Sequence, residues 1–154
     1  LVSRNGTRIL LRFDPRPTGS TCGEFGQRLP AAAVVASTGS TIDVYKTSHD
    51  GISGGRDVEM WRAAKSWTAS NVTYNSYNPA SGGETNRTDI HTLSGNNRYY
   101  WWAVSASDIQ NERTGANRNG WLMKDDGDYN ISNIFTFFHS RDNANKPTLR
   151  IRFY

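Results

Sequence analysis

The sequence predicts an all-β fold, a β-sandwich of jelly-roll type with one or two short helical turns. Three observations carry this reading. Apolar and polar residues alternate over short runs, the period of a strand with one buried face. Clusters of Gly, Pro, Asn and Ser separate the runs at close intervals. Aromatic residues make up 12% of a chain whose hydrophobic content is only 36%, and they gather inside the runs, most densely in RYYWWAV at Arg98–Val104.

In chain order, Thr7–Phe13 sets Ile9, Leu11 and Phe13 against Arg8, Leu10 and Arg12, a half-buried strand. Ala31–Ser37 and Thr41–Thr47 read as two strands of a hairpin turning at Gly39. A glycine-rich loop follows at Asp50–Arg56, and Asp57–Trp67 places Val58, Trp61, Ala64 and Trp67 at helical spacing behind an Asp57 N-cap, so a short helix is expected there. Val72–Tyr77 reads as a short strand and Asn78–Asn86 as a polar, exposed loop. Thr92 to Gly95 leads into the aromatic strand, and Ser107–Glu112 forms one helical turn capped by Ser107 or Asp108. Asn119–Lys124, Asn133–His139 and Thr148–Tyr154 complete the strands, with loops at Asp125–Asn130 and Arg141–Pro147. In the aromatic strand Tyr99, Trp101 and Ala103 point one way and Tyr100, Trp102 and Val104 the other.

At 154 residues the chain fits one domain, residues 1–154, built on a single core. Its mean hydropathy of −0.69 is polar, but the aromatic content argues against disorder. The net charge of +4 and a pI near 9.4 suit a polyanionic partner. The arginines are dispersed rather than clustered, which argues for an acidic glycan over nucleic acid. Cys22 is the only cysteine, so an internal disulfide framework or a cysteine zinc site is excluded. No run of about 18 apolar residues marks a membrane span. Leu1 stands first, without the charged and apolar regions of a signal peptide after it.

From Trp67 onward the motifs become specific. WTASNVTYN at Trp67–Asn75 resembles the W-x-E-x-x-V-T-W-N signature of the DNRLRE-domain family, extracellular β-sandwich modules related to an alginate-binding carbohydrate-binding family. WWAVSASDI at Trp101–Ile109, RNGWLMKDD at Arg118–Asp126, FTFFHSRD and KPTLRIRFY follow in that family's order. The chain departs from the pattern at Ala69, Tyr74 and Ala103, and the name-giving hexapeptide is absent. The resemblance implies that Trp102 and Val104 are buried in a central strand, leaving Tyr99 and Trp101 on the opposite face. It also implies an additional N-terminal strand, for which only six residues precede Thr7. A sandwich lacking that strand would be completed by a longer chain or by a neighbouring subunit, as in donor-strand assembly.

Catalysis finds little to stand on. The four glutamates, Glu24, Glu59, Glu84 and Glu112, fall in loop or helical settings, and His49, His91 and His139 lack metal-ligand spacing. The Gly54-Gly55 and Gly82-Gly83 pairs lack the lysine and helix of a phosphate loop. Asp125, Asp126 and Asp128 crowd a glycine turn that could hold a structural calcium, although a solvated acidic turn explains them more simply. Sequons at Asn5, Asn71, Asn86 and Asn130 are about as many as chance gives in a chain this rich in Asn, Ser and Thr. Trp67 and Trp121 are expected in the core. For ligand binding the candidates are Trp61, Tyr77, Tyr99, Trp101, Arg113 and Arg118, rings for sugar stacking and guanidiniums for anionic groups. The resulting expectation is a non-catalytic, extracellular or cell-surface module that binds a glycan. The competing readings are a filament subunit that self-assembles into a homopolymer, and an accessory domain of a polysaccharide-degrading enzyme.

Overall fold

The computed structural model describes residues 2–4, 8–13, 15, 29–30, 32–50, 56–68, 70, 72, 84–114, 118–125, 135–140 and 142–154. Among the described residues the strands are β1 (Val2–Arg4), β2 (Ile9–Leu11), β3 (Thr41–Asp50), β4 (Arg56–Ala63), β5 (Glu84–Leu93), β6 (Arg98–Ala103), β7 (Trp121–Asp125), β8 (Phe135–Phe138) and β9 (Thr148–Arg150), and there is a helix, α1 (Ala106–Thr114). They form two antiparallel sheets, as the alternation predicts. The five-stranded sheet runs β1-β8-β3-β6, and the four-stranded sheet β2-β7-β4-β5. β6 lies along one side of β3; β8 and β9 share the other, β9 at Thr41–Asp43 and β8 beyond Lys46.

The inner faces meet in one core. Ile42 and Val44 of β3, Tyr100 and Trp102 of β6 and Phe138 of β8 pack on Val58 and Met60 of β4, Ile9 and Leu11 of β2, and Trp121 and Met123 of β7. Burying an indole such as Trp102 contributes about 5 kcal/mol at about 25 cal/mol per Å². Trp102 also donates its Nε1–H to the Val58 carbonyl at 2.9 Å, which joins the two sheets through a hydrogen bond inside the core.

Four sequence expectations are corrected. Asp57–Trp67 is not a helix; Asp57–Ala63 lie in β4. Its alternation is disguised because the polar Arg62 faces inward over Trp121 while Trp61 faces outward, which inverts the usual sorting of apolar inside and polar outside. Ala31–Ser37 does not form a hairpin with β3. Val35 bridges Phe153, and Val34 exchanges both backbone hydrogen bonds with Tyr154. Local alternation specifies a strand face but not its partner, which the far end of the chain supplies here. Glu84–Asn86 belong to β5 rather than to a loop, with Glu84 held by Lys124 at 2.6 Å and Arg8 at 3.5 Å. The helix begins one step early: Ser105, not Ser107 or Asp108, caps it by accepting the Asp108 N–H at 3.1 Å. Of the strand expected at Val72–Tyr77, residues 73–77 lie outside the described residues.

Residues ahead of β2 do form a strand: β1 pairs along β8 with Val2 opposite Phe137. The edge of β8 is therefore covered by this chain itself, and the filament reading gains no support.

Candidate functional site

β6 is an edge strand with two unlike faces. Tyr100 and Trp102 are buried, while Tyr99 is 45% and Trp101 54% exposed. This is the division expected from strand parity, and it puts both rings on the outer face of the five-stranded sheet.

Cross-strand register builds that face in three rows. Tyr99 sits opposite Tyr45 of β3, Trp101 opposite Asp43, and Ala103 opposite Thr41. Across β3, Asp43 faces Thr148 and Thr41 faces Arg150 of β9. Tyr45 meets Tyr99 edge-on at 5.1 Å and stacks at 31° on His139 at 4.8 Å, so three aromatic rings cross the sheet in sequence. The Tyr99 hydroxyl donates to Asn145 Oδ1 at 3.5 Å. On its other side Trp101 meets the His91 ring of β5 at 5.3 Å and 85°. Arg150 forms an ion pair with Asp43, which also accepts from the Thr41 hydroxyl at 2.8 Å. Asp43 is buried beneath this pair while the Arg150 side chain remains 69% exposed, so its guanidinium is anchored beside the rings.

Under this face, Lys46 secures the turn that leads into β6. Its side chain is fully buried and its ammonium donates to the Gly95 carbonyl at 2.8 Å, Asn96 Oδ1 at 2.9 Å and the Leu93 carbonyl at 3.4 Å. The Tyr100 hydroxyl closes the same turn, accepting from the Gly95 N–H and donating to its carbonyl. Burial, and after it the charge of Arg98, lowers the Lys46 pKa from the usual 10.5. The oxygen acceptors favour the ammonium, but lost hydration outweighs them. Between the lowered folded value and 10.5, the unfolded chain binds the extra proton, so this residue makes stability rise with pH. The stability of the wild type relative to Lys46→Met, measured by urea unfolding, is expected to grow as the pH approaches 10.5 from below. A difference that shrinks over that range refutes the assignment.

The outer face of the four-stranded sheet is built differently. Leu10, Trp61, Ala63, Trp67, Leu122 and Val72 form a second apolar cluster there. Beside it Glu59 pairs with Arg87 at 2.7 Å, and Lys124 lies 4.4 Å over the Trp61 ring.

Trp61 therefore stands on the opposite side of the sandwich from Tyr99 and Trp101, its indole N–H donated to Glu59. Arg113 binds the carbonyls of Ala33 and Pro30 at 2.7 and 3.0 Å, tying α1 to the segment before β3. Arg118 is half-buried between α1 and β7. Tyr77, Asp126 and Asp128 lie outside the described residues, and Asp125 is described only as the end of β7. Among the described residues no group of three His, Cys, Asp or Glu is placed to hold a metal ion. Trp121 is fully buried in the core as expected, and Trp67 is half-buried in the outer cluster, its N–H bonded to the Asn119 carbonyl at 2.6 Å. Tyr45, His91, His139, Asn145 and Arg150 were not legible as site residues. Only the parity of TIDVYKT, which puts Tyr45 on the face of Thr41 and Asp43, signals one of them.

Two antiparallel sheets packed face to face, one presenting a row of exposed rings on its outer side, define a β-sandwich binding module. The profile of carbohydrate-binding module family 96 matches residues 9–153, and the chain belongs to that family. The match names this carbohydrate-binding family and not the DNRLRE domains. No curated protein and no solved structure matches the chain. No helix among the described residues is long and apolar enough to cross a membrane.

Proposed function

We propose that this chain is a non-catalytic module of the extracellular space or cell surface that holds a polysaccharide, acidic by preference, on the outer face of the five-stranded sheet. The observation that carries the reading is the exposed pair Tyr99 and Trp101, on a strand whose leading turn is held by Lys46 and Tyr100, continued across the sheet by Tyr45. Aromatic faces take the C–H-bearing faces of sugar rings, and a desolvated ring of this kind is a common centre of binding energy. Two residues along a strand separate side chains by about 7 Å, so Tyr99 and Trp101 serve neighbouring sugars of one chain. Arg150, held in place by Asp43, supplies fork-shaped donors for a carboxylate or sulfate, and the net charge of +4 favours approach of a polyanion. Family membership supports the ligand class, and extracellular modules are the usual setting for such families.

Affinity electrophoresis through gels containing an acidic polysaccharide tests this. Trp101→Ala is expected to weaken binding by roughly 30-fold or more, a loss of about 2 kcal/mol, with unfolding stability within about 0.5 kcal/mol of wild type because the ring is exposed. Trp61→Ala, on the other side of the sandwich, is expected to keep its affinity. Full retardation of the Trp101 variant defeats the reading.

A further inference from the structure

β8 and β9 lie on the same flank of β3 and run in the same direction, so they are two pieces of one strand line interrupted by a loop. Phe138 pairs with Lys46 and Thr148 with Asp43, which leaves only Val44 and Tyr45 of β3 between them. Two residues would fill that gap in an unbroken strand, but residues 139–147 occupy it. His139 begins as though the strand continued, its N–H bonded to the Tyr45 carbonyl at 3.0 Å. The chain then leaves the sheet. It passes over the outer face, because Asn145 near the far end of the loop meets the Tyr99 hydroxyl at 3.5 Å on β6, the strand beyond β3. Tyr45, beneath the crossing, is half-buried although it belongs to the outer face.

The loop is braced at both ends. Ser140 donates its N–H and its hydroxyl to Asn143 Oδ1 at 2.8 and 3.0 Å, and the Asn143 N–H returns to the Ser140 carbonyl at 3.2 Å. At the other end the Thr148 hydroxyl donates to the Lys146 carbonyl at 3.3 Å. A loop whose side chains are tied to its own backbone in this way keeps its shape and stands as a wall at the Tyr99 end of the platform.

We propose that this loop is an end stop, so that the platform takes the terminus of a glycan chain and not its interior. This rests on the platform reading above. The terminal sugar lies on Tyr99 against Asn145 and the next on Trp101, and the chain leaves past Ala103, the small residue that continues the face of β6. The two ends of the platform suit that direction. At the open end Arg150 stands one register row beyond Trp101, an exposed cation beside the path of the following acidic sugars. At the closed end the groups in contact are neutral, the amide of Asn145 and the hydroxyl of Tyr99. A terminal sugar carries a hydroxyl where an interior one carries a glycosidic bond, and an amide side chain has both a donor and an acceptor to meet it.

Stoichiometry separates the two modes. A domain of this size is about 40 Å across, so a platform open at both ends would load several modules on one long polysaccharide, whereas an end stop loads one. The test is titration calorimetry of the wild type with polygalacturonate of about 50 residues, its molar concentration fixed by reducing ends, at about 0.15 M salt to shorten long-range attraction. One module per polysaccharide chain is expected. A variant that lacks residues 140–146 and carries Pro147→Thr sets two residues opposite Val44 and Tyr45, so that β8 runs straight into β9 with every ladder N–H present. Shown by urea unfolding to be folded, it is expected to load several modules on each polymer. The wild-type ratio decides without it. Several wild-type modules per polymer, with binding that Trp101→Ala abolishes, overturns the end stop and leaves the platform intact. A ratio of one in the folded loop-deleted variant likewise removes the loop's role. Binding untouched by Trp101→Ala overturns both the stop and the platform.

Discussion

Gly120→Ala is expected to destabilise the domain by on the order of 4–5 kcal/mol, a large fraction of the total stability of a domain this size. Gly120 has φ of +73°, a conformation that an L side chain adopts only with strain. A Cβ built there would also lie 2.1 Å from the carbonyl oxygen of Leu11, a backbone atom of β2 that pairs with β7 and cannot rotate aside. The same residue is fastened on both sides, its N–H to Glu112 Oε1 and its carbonyl to Arg62 and the Ala63 N–H. Gly39→Ala is the matched comparison. Its φ of +88° carries similar strain, but its nearest neighbour is the exposed Arg152 side chain at 3.0 Å, which can swing away. It is expected to cost only about 1–2 kcal/mol. Urea unfolding of the two variants decides the matter, and equal losses would show that the Leu11 contact has no energetic weight.

Arg62→Met is the second large effect, expected to cost about 3–5 kcal/mol. Arg62 reaches into the core over the Trp121 ring at 4.8 Å, donates to the Gly120 carbonyl at 2.7 Å and pairs with Glu112 at 2.8 Å. The Glu112 side chain has no solvent exposure, so removing its cation leaves a carboxylate in the interior with only the Gly120 N–H to bind. The double variant Arg62→Met, Glu112→Gln keeps an oxygen for that N–H and carries no buried charge. It is expected to recover more than about 1 kcal/mol of the single variant's loss, a coupling that chemical denaturation reads as non-additivity. A double variant less stable than Arg62→Met would mean that Glu112 is not compensated chiefly by Arg62.

The aromatic strand shows how far local pattern reaches. In RYYWWAV the strict period of a strand divides the rings two and two, and the division in the folded protein is the same, because Trp102 has an apolar sheet to face and Trp101 has none. β4 shows where pattern stops. DVEMWRA contains an inward arginine and an outward tryptophan, so the usual sorting of apolar inside and polar outside is inverted and helical spacing fits as well. The inversion makes sense only when Glu112 of α1 and Lys124 of β7 are in place to meet those side chains. The candidate site divides the same way. Tyr99 and Trp101 were legible, being neighbours on one strand. Tyr45, His139 and Arg150 reach them only through strand pairing across β3, and Arg113 turned out to be engaged by backbone carbonyls far away in sequence.

The sequence by itself determined that this chain is an all-β sandwich and which side chains of its aromatic strand face outward, because both follow from a two-residue period and from the cost of leaving large rings in water. The tertiary structure decided which strands pair, that β4 is a strand, and that Tyr45, Tyr99, Trp101, His139 and an anchored Arg150 share one outer sheet face. Those outcomes depend on partners tens of residues apart, whose meeting is governed by packing and by the pairing of buried charges rather than by any local pattern.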